Sequence, residues 1–194
     1  MSFAEATVAL ALIALMAAGA ASALAPTLRS LRLSSAARDM ALALQRVRGE
    51  AIARGGSVGI AFEREPDAWR IHEDGGAPGI LRAETTSHVD PPLSPRIAMA
   101  ALHPGIRFGL PEGHSVPRIP PSIGTIDPDD PITFGSTDIF SASPTGATSS
   151  GSIYLTDGRD VRAIVVHGPT GRLRIWSHDS STNQWSEATP GGTR

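Results

Sequence analysis

Several residue types that carry chemistry are missing from this chain of 194 residues. It has no cysteine, and all 17 of its basic residues are arginine. The lack of cysteine excludes disulfides, thiol catalysis and cysteine-based metal sites. The six histidines are scattered without the spacing of zinc ligands, and no G-x-S-x-G, S-x-x-K or phosphate-binding glycine motif occurs. We therefore expect no enzyme, no metal site and no cofactor.

The charge is close to balanced overall but is unevenly distributed. A net charge of -2 excludes a general polyanion binder. Thr27–Arg54 carries six arginines against two acidic residues, whereas residues 55–150 carry six arginines against twelve acidic residues. Within that acidic region, Asp127-Pro-Asp-Asp130 lacks the ligand number and spacing of a known cation-binding loop and is interpreted as a solvated acidic loop.

The first 25 residues are dominated by an apolar run, Ala6–Ala25, with one carboxylate, Glu5, at its entrance. Twenty helical residues span about 30 Å, the thickness of a bilayer's hydrocarbon core, so residues 1–25 are predicted to form a transmembrane helix. A carboxylate at such a position is costly and should have a partner. The alternative is a secretory signal, because the small residues of Ala20–Ala25 resemble a cleavage site, although no basic segment precedes the run.

Residues 26–54 are predicted to continue this helix as an amphipathic second half. Pro26 predicts a kink rather than an end, and Gly55-Gly56 predicts the C-terminal end. The combined helix is expected from near Ser2 to near Arg54. Apolar residues recur at spacings of three and four along one face of its second half: Leu33, Ala37, Met40, Leu44, Val47 and Ala51.

The remainder, residues 55–194, is predicted to be a β-rich domain. A long proline-rich surface loop is expected near residues 111–131. The fold class is therefore α+β, with a long N-terminal helix packed on antiparallel β-sheets. The predicted strands are 57–63, 68–72, 79–82, 106–110, 132–134, 151–156, 161–167, 172–178 and 184–186, of which the last four form an antiparallel meander.

These residues resemble the type IV pilin-like proteins, and within them the GspH/FimT minor pseudopilins. The start Met-Ser-Phe-Ala-Glu places Glu5 fifth, where that class has a carboxylate at the processed N-terminus, although Met1 stands where phenylalanine is usual. Met1 is therefore either the processed N-terminus or a start residue. The segments that resemble the family's C-terminal strands are Ile132–Phe134, Gly151–Leu155, Arg162–Val166 and Thr170–Arg174.

The resemblance implies a pilin-like fold and a structural role in type II secretion. Such proteins are held in the bacterial inner membrane by a single helix, with a periplasmic domain. A prepilin peptidase processes and methylates them, and they join a periplasmic pseudopilus with the major and tip minor pseudopilins. It also implies that Glu5 pairs with the N-terminal amine of a neighbouring subunit, which in this sequence is the amine of Met1.

The resemblance leaves a second function open, which is DNA binding in natural transformation. In FimT-like members a GRxR pattern is associated with DNA uptake, and this sequence has Gly171-Arg-Leu-Arg174. Arg172 and Arg174 are two apart in a predicted strand and so share one face, which Arg159 and Arg162 are expected to extend across the ladder. Trp176 beside them is interpreted as a core residue rather than a base-stacking platform. Because residues 55–194 carry a net charge of -5, we favour the secretion subunit.

Overall fold

The computed structural model describes residues 3–188, apart from the side chains of residues 6, 9, 11–15 and 17–25. The chain divides into two compact units, Met1–Arg32 and Leu33–Arg194. The first unit is helical over its described residues, and the second contains all of the β-structure. The core of the described residues lies within the second unit.

Helix α1 runs from Phe3 to Arg54 and is continuous through Pro26. The residue after it, Gly55, has a left-handed φ of +68° and an N–H that donates to the Ala51 carbonyl at 3.1 Å, as expected at the C-terminal end of a helix. All six residues of the predicted apolar face are buried, each with at most 2% exposure: Leu33, Ala37, Met40, Leu44, Val47 and Ala51. The 3.6-residue period of the sequence thus becomes the face that packs on the sheets.

The predicted transmembrane segment, residues 1–25, falls in large part on side chains outside the described residues. In the part of the chain that the structure describes, no helix combines the length and the apolar character needed to cross a membrane.

Two antiparallel sheets follow the helix. Their strands are β1 (Val58–Glu63), β2 (Ala68–Glu73), β3 (Ile97–Ala98), β4 (Arg107–Phe108), β5 (Ile139–Ala142), β6 (Gly151–Thr156), β7 (Val161–His167), β8 (Arg172–Asp179) and β9 (Gln184–Glu187). The first sheet has the order β3-β2-β1-β5, and the second has the order β4-β6-β7-β8-β9. Short helices α2 (Arg82–Ser87) and α3 (Met99–Leu102) lie between strands β2 and β4 in the chain.

One core joins α1 to both sheets. Leu44 and Val47 of the helix share this core with Phe62 of the first sheet and with Leu155 and Ile164 of the second. These five side chains are at most 1% exposed. The α+β fold class, a long N-terminal helix on antiparallel sheets, is therefore confirmed.

Some local predictions were wrong. Gly79–Arg82 is not a strand, because α2 begins at Arg82 and the buried Asp90 carboxylate accepts the Leu81 N–H at 3.0 Å. The segment Ile132–Phe134 forms only an isolated bridge, from Ile132 to Ile153. Strand β5 was not predicted, although it completes the first sheet beside β1.

A loop over residues 110–126, here called the outer loop, covers the face of the second sheet that is turned away from α1. Its Leu110, Val116 and Ile126 are buried in a small cluster with Tyr154 and Val161 of the sheet. Trp185 of β9 fixes the loop by donating its Nε1–H to the Pro117 carbonyl at 2.7 Å. Apolar anchors therefore hold part of the proline-rich segment against the sheet.

Candidate functional site

The register of the second sheet decides which arginines lie together. Directly paired residues of neighbouring antiparallel strands share a face, and successive residues alternate. Arg162 pairs with Ser177, whereas Arg172 pairs with His167 and Arg174 with Val165. On β7, Arg162 is three residues before Val165 and five before His167, and residues an odd number of positions apart in a strand lie on opposite faces. Arg162 therefore lies on the opposite face of the sheet from Arg172 and Arg174.

Arg162 belongs to the helix-facing side. Its guanidinium donates hydrogen bonds to the Ser177 hydroxyl and, at 3.5 Å, to the Ser34 hydroxyl of α1. Burial lowers the pKa of this guanidinium, although Asp160 and Asp157 oppose the shift. Arg162 thus serves helix–sheet packing, and the expectation that it extends the arginine pair across the ladder was wrong.

Arg159 is also separate from that pair. It lies in the turn between β6 and β7, where its backbone N–H donates to the Asp157 carboxylate at 2.9 Å. Arg172 lies opposite the far end of β7. A seven-residue strand spans about 20 Å, so Arg159 and Arg172 are at opposite ends of the sheet. The four predicted arginines therefore do not form one patch.

The remaining pair, Arg172 and Arg174, is on the outer face of the sheet. Arg172 is exposed, and the side chain of Arg174 is 41% exposed. Arg174 forms an ion pair with Glu187 of β9 at 3.5 Å, which offsets its charge. Of this pair, one arginine is thus exposed and the other is partly neutralised.

Gly171, which opens the GRxR pattern, has a structural explanation. Its φ is +61°, and a Cβ built on it would lie 2.7 Å from the Arg48 Cζ. Arg48 reaches this point from α1 and donates its Nε–H to the Gly146 carbonyl at 2.7 Å. The left-handed backbone favours glycine here, and any larger residue would also displace the flexible end of the Arg48 side chain.

The tryptophans near the pair also have structural surroundings. Trp176 and Trp185 pack against the small cluster under the outer loop. The Trp185 ring lies 5.0 Å from the His178 ring and 6.2 Å from the Tyr154 ring, centroid to centroid. This packing agrees with the interpretation of Trp176 as a core residue.

Glu5 lies in the first turn of α1, where the helix dipole favours a carboxylate. Met1 lies outside the described residues, so its pairing with Glu5 remains a prediction. Among the described residues, no group of three histidine, aspartate or glutamate side chains could hold a metal ion. In the acidic loop, Asp130 forms an ion pair with Arg64.

A surface feature that the sequence did not predict is an apolar groove between α1 and the edge of the first sheet, here called the helix groove. Its cavity volume is about 480 Å³. Leu42 and Leu102 form its lips and are 60% and 55% exposed. The lining residues are Ala36, Asp39, Met40, Leu42, Ala43, Arg46, Trp69, Ile71, Ile97, Met99, Leu102 and His103.

Polar groups bound the helix groove on its rim. His103 Nε2 lies 3.1 Å from the Asp39 carboxylate, joining the end of α3 to α1. Arg46 is 75% exposed and pairs with Glu50 along the helix at 3.0 Å. The one signal in the sequence was Leu42, an apolar residue off the buried stripe, but its partners come from distant segments of the chain.

Comparison with known proteins identifies the family. A sequence profile described as "Type II transport protein GspH" matches residues 36–171, well over half of the chain. The chain belongs to the GspH family. The match begins within the buried face of α1 and ends at Gly171, so it includes the helix–sheet core of this GspH-family chain.

A solved structure similar to this GspH-family chain is the crystal structure of the minor pseudopilin EpsH from the type II secretion system of Vibrio cholerae. The two share 10% sequence identity, the match covers 86% of this chain and 99% of EpsH, and the TM-score is 0.40. At this TM-score the likeness supports no argument about function. The search of curated proteins gave no match.

Proposed function

We propose that this chain is a minor pseudopilin subunit of a type II secretion pseudopilus, with a structural role in protein export across the outer membrane. The observation that carries the proposal is the GspH family match over residues 36–171. The packing supports it, since the part of α1 from Leu33 to Ala51 shares one core with the globular domain, as a pilin-like subunit requires. Here Leu44 and Val47 fix α1 to both sheets.

We further propose that residues 1–25 hold the subunit in the inner membrane before assembly, with the following domain in the periplasm. A stretch as apolar as Ala6–Ala25 needs lipid or a bundle of similar helices around it. Its many alanines allow close approach between helices, so moving from lipid into a filament costs little. Processing by a prepilin peptidase, and methylation of the Met1 amine, belong to the same proposal.

In this proposal Glu5 sets the register of assembly by pairing with the N-terminal amine of a neighbouring pseudopilin. A buried ion pair contributes specificity more than net stability. Glu5→Gln keeps the size of the side chain and removes its charge. We expect the variant to remain in the membrane fraction and to lose crosslinking to the major pseudopilin and to the other minor pseudopilins.

The matched control is Thr7→Val. It changes a polar side chain about half a helical turn after Glu5 and leaves the charge of the helix unchanged. It should fractionate and crosslink as the unmodified chain does. If Glu5→Gln crosslinks to the other pseudopilins as efficiently as this control, the assigned role of Glu5 is wrong.

DNA binding through a FimT-like arginine strand is the second candidate function. Only Arg172 and Arg174 remain together on the outer face, and Glu187 offsets one of them. Fluorescence anisotropy of the full chain in detergent, with duplex DNA at two salt concentrations, separates the two functions. A Kd that rises steeply with salt, with a slope reduced by Arg172→Ala and Arg174→Ala but not by Arg159→Ala, would favour the DNA receptor.

A further inference from the structure

Two arginines of the first unit follow shortly after the apolar run Ala6–Ala25. Arg29 and Arg32 belong to α1, and both are exposed. Residues three apart in a helix are neighbours on one face. The chain has no acidic residue between Glu5 and Asp39, so neither arginine has a carboxylate within one turn of its own helix. The two arginines therefore form a local concentration of positive charge.

Two exposed leucines stand beside these arginines. Leu28 is 52% exposed and Leu31 is 55% exposed, and both belong to the same stretch of α1. Residues 28–32 are here called the basic turn. A helical segment in which apolar and cationic side chains are both exposed has the composition of a segment that lies at a membrane interface.

The position of the basic turn matches the depth of lipid headgroups. With Ala25 at the edge of the hydrocarbon core, Arg29 lies about 6 Å and Arg32 about 10 Å further along the helix, at about 1.5 Å per residue. The headgroup layer beyond the core is about 5–8 Å thick on each side. Side chains of a helix tilt toward its N-terminus, which here means back toward the bilayer. Both guanidinium groups are therefore within reach of the headgroups.

The proposed orientation of the chain makes this pair of arginines unusual. Arginines beside membrane helices are concentrated on the cytoplasmic side, whereas the residues that follow the apolar run are proposed above to lie in the periplasm. Carrying two charged side chains to the periplasmic side opposes insertion. Binding of an anion at the final position of Arg29 and Arg32 would offset this cost.

The anion that suits the basic turn best is the phosphodiester of a lipid headgroup. A guanidinium group donates hydrogen bonds from a planar fork that matches phosphate oxygens, and it keeps its charge at physiological pH. The aliphatic stems of the arginines, together with Leu28 and Leu31, suit the acyl boundary beneath the headgroups. An acidic protein surface would use the arginines and leave the leucines uncovered, whereas an anionic lipid uses both.

We propose that the basic turn, through Arg29 and Arg32, binds anionic phospholipids in the leaflet at which residues 1–25 end. This inference rests on the membrane anchoring proposed above. The contact helps to hold the subunit in the bilayer, and it must be broken when the helix moves from lipid into a filament. The basic turn therefore contributes to how readily a minor subunit leaves the membrane.

Fluorescence quenching measures which lipid lies beside the basic turn. Because the chain has no cysteine, Thr27→Cys gives a single attachment point for a fluorophore in the full chain. The labelled chain is reconstituted in mixed vesicles of phosphatidylcholine and phosphatidylglycerol, in which one lipid or the other carries brominated acyl chains that quench the fluorophore.

At low salt, phosphatidylglycerol should be enriched about five- to thirtyfold around the label, which is the effect of one to two arginines at an anionic surface. The enrichment should fall at about 1 M salt, because the Debye length shortens to about 3 Å.

Two double variants, each made in the labelled chain, test the assigned residues. Arg29→Gln combined with Arg32→Gln should bring the enrichment close to one. Glutamine has nearly the helix propensity of arginine, so α1 should be kept. The matched control combines Arg38→Gln with Arg159→Gln, which removes the same charge from two exposed arginines outside the basic turn. It should keep the enrichment of the unmodified chain.

Equal quenching by the two lipids in the unmodified chain would overturn the lipid inference and leave the anchoring role standing. An equal loss of the preference in both double variants would do the same, because net charge would then be its source. Quenching by neither lipid would show that residue 27 is not at a bilayer, and the anchoring proposal would fail as well.

A protein partner gives a different result. If Arg29→Gln with Arg32→Gln leaves the lipid preference unchanged but abolishes crosslinking to other pseudopilins, the two arginines bind an acidic protein surface, and the lipid inference is wrong while the proposed pseudopilin function stands.

Discussion

The two faces of the second sheet differ in depth of burial and in what covers them. The helix-facing side contributes Leu155 and Ile164 to a core that continues through α1 into the first sheet. The outer side packs only on the small cluster under the outer loop, and part of it, around Arg172, is open. The first face therefore accounts for most of the stability, and the second is free to vary and to make contacts.

The largest effect is expected from the helix-facing side. Leu155→Ala should lower the free energy of unfolding by about 2–5 kcal/mol, since its side chain is fully buried and the vacated space cannot close completely. Val165→Ala, on the outer face of the neighbouring strand, should cost about 1 kcal/mol or less. Urea unfolding of both variants measures the difference, and equal losses would contradict the distinction between the faces.

The next largest effect is expected at Gly171, in the turn between β7 and β8. Gly171→Ala should cost about 1–2 kcal/mol, because the left-handed backbone disfavours a side chain, and it should displace the Arg48 guanidinium, whose Cζ the new Cβ would approach to 2.7 Å. Combining it with Arg48→Ala should recover the part of the loss that comes from the collision. Thermal unfolding of the single and double variants tests this. Purely additive losses would show that Arg48 is not the obstacle.

A smaller effect is expected on the outer side. Trp185→Phe removes the hydrogen bond to the Pro117 carbonyl and should cost about 1 kcal/mol. The loss should be local, so hydrogen exchange should speed up at the N–H groups of Arg118 and Ile126 and stay unchanged in the buried half of α1. Faster exchange throughout α1 would mean that the outer loop is part of the main core.

The smallest effect concerns Asp67, which joins the two sheets by accepting the Phe108 N–H at 3.2 Å. Burial raises the pKa of this carboxyl above its usual 3.8, while the Phe108 hydrogen bond and Arg107 oppose the shift. Its ionisation thus costs the folded state stability, which declines as the pH rises from about 3.8 through the raised pKa.

Asp67→Asn should therefore be slightly more stable than the unmodified chain at pH 7, and the difference should vanish near pH 3. Melting temperatures of both proteins across this range test the sign. A variant that is less stable at pH 7 would show that the charged carboxylate contributes through its hydrogen bond more than burial costs it.

The long elements could be predicted from the sequence because their periodicity is strong. The stripe from Leu33 to Ala51 predicted the buried face of α1. The turn sequences Asp157-Gly158 and Thr170-Gly171 separate the strands of the meander β6–β8 and make its strands easy to recognise. Strand β5, Ile139–Ala142, was missed because four residues between loops give no alternation to detect. Helix α2 was missed because Arg82–Ser87 has no side-chain cap and contains two threonines, which favour helices weakly.

The candidate sites depended on information that lies outside any local pattern. The face on which Arg162 lies follows from strand register, and a shift of one residue would have reversed it. The helix groove brings Leu42 beside Leu102, two segments that no local spacing relates. The family resemblance was recoverable because the Glu5 position and the C-terminal strands are local sequence features.

The contact between Arg48 and Gly171 has a consequence for classifying sequences. A search that uses Gly-Arg-x-Arg to find DNA-uptake proteins would select this chain, although here the glycine serves a left-handed turn against which Arg48, 123 positions earlier, is packed. In such a hit the glycine reports on the turn before the strand, and only the arginines that follow carry information about nucleic acid.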